Sequence, residues 1–75
     1  MAKHQAVITF RAIEFPNAHA AIQHAEADGR GEAILREGQN LVVSEADADR
    51  LGAAGVSFAY LCDRDGQVLT VPVNG

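Results

Sequence analysis

The stretch EAILREGQNLVVSEAD, residues 32–47, decides how this chain is read. Two short apolar runs, Glu32 to Arg36 and Gln39 to Val43, flank Glu37-Gly38, where a glycine supplies the φ > 0 position of a tight hairpin. Ser44-Glu45-Ala46-Asp47 follows at once and has the form of a capping box. In that motif the serine oxygen accepts a helix N–H while the acidic side chain reaches back. A β-hairpin running directly into a helix is therefore predicted. Clustering Glu45, Asp47 and Asp49 in the first turns also suits the positive end of the helix dipole.

Outward from this stretch, the second helix carries Ala48, Leu51 and Ala54 and stops near Gly55. Val56 to Cys62 and Gln67 to Val73 then form strands around Asp63-Arg64-Asp65-Gly66, a second hairpin. Pro72 has no N–H to give to a ladder, which assigns the last strand to a sheet edge. Toward the N-terminus, Gly29 and Gly31 close a first helix capped by Asn17, with the stripe Ala18, Ala21, Ile22, Ala25 at i, i+3, i+4, i+7. Gln5 to Ile13, rich in β-branched and aromatic types and stopped by Pro16-Asn17, predicts the first strand.

The fold class that follows is α+β in a single domain over residues 1–75: a small antiparallel sheet with two helices on one face, in the order βαββαβ plus a C-terminal edge strand. That order resembles the ferredoxin-like arrangement, which is shared by regulatory modules including small amino-acid-sensing domains. Their loop signatures are not found here, and the fold hosts many functions, so the resemblance implies a topology and no activity. Glu37-Gly38-Gln39 and Asp65-Gly66-Gln67 each follow a helix-then-strand segment, which leaves a duplicated half open.

Each strand is apolar on both of its alternating sides. If Ile8, Phe10, Leu41, Val43, Phe58, Tyr60, Leu69 and Val71 face the helices, the reverse face carries Val7, Thr9, Arg11, Val42, Ala59, Leu61, Val68 and Thr70. A sheet face washed by water alternates to polar residues more fully than this. Val7, Thr9, Arg11, Val42, Leu61 and Val68 are accordingly the candidate partner-binding residues, and a homo-oligomer, with a dimer favoured, is the expected partner.

Composition narrows the function classes. A formal charge of −4, with Lys3, Arg11, Arg30, Arg36, Arg50 and Arg64 dispersed, argues against nucleic-acid binding, which needs basic residues gathered on one face. No window approaches the roughly 18 apolar residues of a membrane span, and Met1 to Gln5 leads into no signal-type apolar run, so a cytoplasmic protein without membrane contact is expected. Cys62 is the one cysteine and forms no intrachain disulfide.

His19 and His24 are five apart in the helix, about 140° around its axis, so they cannot share a metal. Asp63-Arg64-Asp65-Gly66 contains part of a calcium-loop pattern, but the flanking ligand positions fall on Leu61 and Pro72. The glycines lack phosphate-loop spacing. No catalytic residue, cofactor or metal is expected. The expected function is a small non-enzymatic interaction or regulatory module that self-associates through an apolar sheet face. The alternatives are an acidic inhibitor or antitoxin-like protein binding a basic surface through Glu45, Asp47, Asp49, Asp63 and Asp65, and a subunit of a larger assembly.

Overall fold

The computed structural model describes residues 9–73. Its elements are β1 (Ile13–Phe15), α1 (Ala18–Asp28), β2 (Gly31–Arg36), β3 (Gln39–Ser44), α2 (Glu45–Ala53), β4 (Phe58–Arg64) and β5 (Gln67–Val73). The α+β class, the order of elements along the chain and both hairpins are those read from the sequence. Expected strand residues Gln5 to Ile8 lie outside the described residues, and Thr9 to Ala12 are not strand. Strand β1 begins where the expected strand was to end, because Ile13 to Phe15 are the residues that pair with Asn40 to Val42 of β3.

Local chemistry sets the boundaries. Asn17 Oδ1 accepts the Ala20 N–H at 2.8 Å and starts α1, and Gly29, at φ 73°, ends it with its N–H on the Ala25 carbonyl. Ser44 Oγ accepts the Asp47 N–H at 3.1 Å and starts α2 with no intervening loop. The reciprocal half of the expected capping box is replaced. The Asp47 carboxylate takes Arg50 Nη1 at 2.8 Å and, at 3.5 Å, the Arg11 N–H, so it ties the segment before β1 to α2.

Across the sheet the strands run β1-β3-β2-β4-β5, every neighbouring pair antiparallel. Strands β1 and β2 both flank β3 and so run parallel to each other, joined through α1. Likewise β3 and β4 both flank β2 and are joined through α2. The two crossovers step across the sheet in the same direction, but from strands that point opposite ways. Connections of one hand, as the strong right-handed preference requires, then pass on opposite faces.

The packing corrects the expectation of two helices on one face. Ala21, Ile22 and Ala25 of α1 form one core cluster with Ala33, Val42 and Leu61, whereas Ala48 and Leu51 of α2 form another with Ile34, Leu41, Val43 and Phe58. Ala33 and Ile34 point to opposite sides of β2, as do Val42 and Val43 of β3. Had β4 docked beside β1, the second crossover would have run the other way and both helices would share a face. Its own residues decide the matter. With Leu61 buried on one side and Phe58 on the other, β4 needs a neighbour that is apolar on both faces, which β2 is and the short β1, with Glu14 at its centre, is not. The two helix-then-hairpin segments, α1-β2-β3 and α2-β4-β5, put their helices on opposite faces, so no twofold through the sheet relates both segments whole.

Candidate functional site

The two-sided apolar pattern is thus mostly accounted for inside the chain. Helix α1 packs over β2, β3, β4 and β1, and α2 packs over β3 and β2. Val42 and Leu61, two of the sequence-derived partner-binding residues, are buried under α1, and Val68 is half-buried against the same cluster. Thr9 and Arg11 are exposed ahead of β1, and Val7 lies outside the described residues. The structure therefore does not bring these residues together on one open face.

What neither helix covers is the middle of β5. Val68 and Val73 reach the two core clusters, but Leu69 and Val71 between them are 39% and 51% exposed. Register puts them on the α2 face, opposite Cys62 and Tyr60. There Tyr60 is half-buried and stacks edge-on against Phe58 with ring centroids 5.3 Å apart, while Cys62 is exposed. The result is an apolar strip along an edge strand whose seven residues include no charged side chain. Ile13, 52% exposed on β1, is at the opposite edge of the sheet. Sequence reasoning placed Leu69 and Val71 beneath a helix. Pro72, read correctly as an edge residue, was the signal that could have moved them outside.

A second feature adjoins this strip. Burial raises the Glu32 carboxyl above its usual range, and Glu45 and Asp49 nearby raise it further. Burial likewise raises the Tyr60 hydroxyl, with added contributions from Glu32, Asp49 and Glu45. The acidic residues that converge are therefore Glu32, Glu45 and Asp49. Of the other acids that the acidic-inhibitor alternative names, Asp47 is engaged by Arg50, Asp63 pairs with Val68 in the β4–β5 ladder and Asp65 sits at the hairpin tip. Among the described residues no group of three or more His, Cys, Asp or Glu has the placement to hold a metal ion.

A third feature is an open groove of about 760 Å³ between the segment ahead of β1, the end of α1 and the β3–α2 junction. Arg11 and Arg30 line it together with Asp28 and Asp47, so opposite charges offset one another there. His24, also on its wall, stacks against Phe15 at 5.1 Å. Compared with protein families, curated proteins and solved structures, the chain matches none of them. No helix among the described residues is long and apolar enough to cross a membrane.

Proposed function

We propose that the protein is a small non-enzymatic interaction module that self-associates through the apolar strip of β5. The observation that carries this reading is the exposure of Leu69 and Val71 on an uncharged edge strand that neither helix covers. Burying this surface contributes about 25 cal/mol per Å² toward association, against which the lost translational and rotational freedom counts. Sedimentation velocity tests it. The wild-type chain is expected to form dimers at about 100 μM that persist in about 1 M salt, where the Debye length is about 3 Å. Val71→Asp is expected to be monomeric under both conditions. A wild-type monomer throughout the concentration range contradicts the reading.

The convergence of Glu32, Glu45 and Asp49 favours a second reading, an acidic inhibitor that docks on a basic partner surface through the α2 face. Such a complex weakens steeply with salt, which separates it from apolar self-association. A subunit of a larger assembly would pair β1 of one copy with β5 of the next. Such head-to-tail contacts build rings or open filaments, and sedimentation would then show large species.

A further inference from the structure

The strip identifies a surface but not a mode of contact, and the backbone of β5 supplies one. Asp65 and Gly66 have φ of 54° and 76°, the two positive values of a type I′ turn, with Arg64 and Gln67 paired on either side. In such a two-residue hairpin the closing pair exchanges both N–H···O bonds. Alternation then directs the backbone groups of Gln67, Leu69, Val71 and Val73 toward β4 and turns those of Val68, Thr70 and Pro72 outward. Pro72 fits this assignment, because its missing N–H is one that β4 does not use. The outer edge thus presents N–H groups at Val68 and Thr70 and carbonyls at Val68, Thr70 and Pro72.

We infer that β5 pairs antiparallel with β5 of a second copy of the chain about a twofold axis through Thr70, joining two sheets into one. This rests on the self-association reading and specifies its geometry. In this register Thr70 and the partner's Thr70 exchange both N–H···O bonds, and the Val68 N–H reaches the carbonyl of the partner's Pro72. The reciprocal bond has no donor, so the ladder ends there. Leu69 stands opposite the partner's Val71 in a non-hydrogen-bonded pair, where Cα atoms approach to about 4.5 Å. The two exposed large apolar side chains of β5 cover each other in this way on the α2 face.

A second copy is the occupant because the strand is complementary to itself. Leu69 meets the partner's Val71 and Val68 the partner's Pro72, and an uncharged strand lets two chains of net charge −4 meet where neither brings a like charge to the contact.

Substitutions at Thr70 test the mode without touching the apolar strip. Thr70 is exposed and lies on the α1 face, opposite in direction to Leu69 and Val71. Thr70→Lys and Thr70→Glu alone are each expected to weaken dimerisation about tenfold or more, because like charges meet across the axis, and an equimolar mixture of the two is expected to restore a heterodimer. Thr70→Pro removes an outward N–H without breaking the β4 ladder and is expected to be monomeric with its secondary structure intact. If all three variants dimerise as the wild type does while Val71→Asp is monomeric, self-association stands and the edge pairing is overturned. Failure of the mixture to dimerise also overturns it, and a wild-type monomer overturns both.

Discussion

Gly31 has no room for a side chain. A Cβ built there would lie 2.8 Å from Val42 Cγ1 and 3.4 Å from the Val43 carbonyl oxygen. Valine is stiff at χ1 and Val42 is itself buried, so the neighbour cannot swing away. Gly31→Ala is expected to destabilise the fold by about 1–3 kcal/mol in urea unfolding, through overpacking. Glu32, the next residue, carries a different load. Its folded-state carboxyl titrates above the unfolded one, because burial and then Glu45 and Asp49 disfavour the charge. The folded state therefore binds more protons than the unfolded state, and this residue's contribution to stability falls as pH rises from the ordinary glutamate range through the raised value. Glu32→Gln is expected to raise the melting temperature at pH 7, with the gain vanishing below about pH 4, under the ordinary glutamate pKa. Neither effect is written in the sequence. Gly31 was legible only as the end of a helix, and Glu32 only as the start of a strand, because both depend on what another element places against them.

At the scale of elements, the caps and turns were legible because their chemistry is local. Asn17, Ser44 and Gly29 set helix ends within one turn of chain, and Glu37-Gly38 and Asp65-Gly66 turn both hairpins with positive φ. Ser44 also joins β3 to α2 without a loop, its side chain capping the helix directly at the end of the strand. Ser44→Ala is expected to cost about 1 kcal/mol, and Ser44→Asp to retain most of that stability, both measured by urea denaturation. The first strand was less legible. Thr9 to Ala12 belong to the expected strand, but among the described residues pairing begins at Ile13, where β3 turns the backbone of Val42 toward it.

At the scale of the molecule, the alternation of side chains correctly separated Leu41, Val43, Phe58 and Tyr60 from Val42, Ala59, Leu61 and Val68. It did not show which group lies under which helix, because that follows from the strand beside which β4 docks, a contact between segments distant in the chain. With β4 beside β2, each helix takes its own face, and Val42 and Leu61 become core. The open apolar surface contracts from an entire sheet face to the middle of β5. In the proposed dimer a second copy covers this remainder along the strand's outer edge. Amide hydrogen exchange at Val68 and Thr70, followed by NMR in dilute and in concentrated solution, tests it most directly. Both amides are expected to exchange freely when dilute and to become protected as concentration rises. Free exchange at every concentration would contradict it.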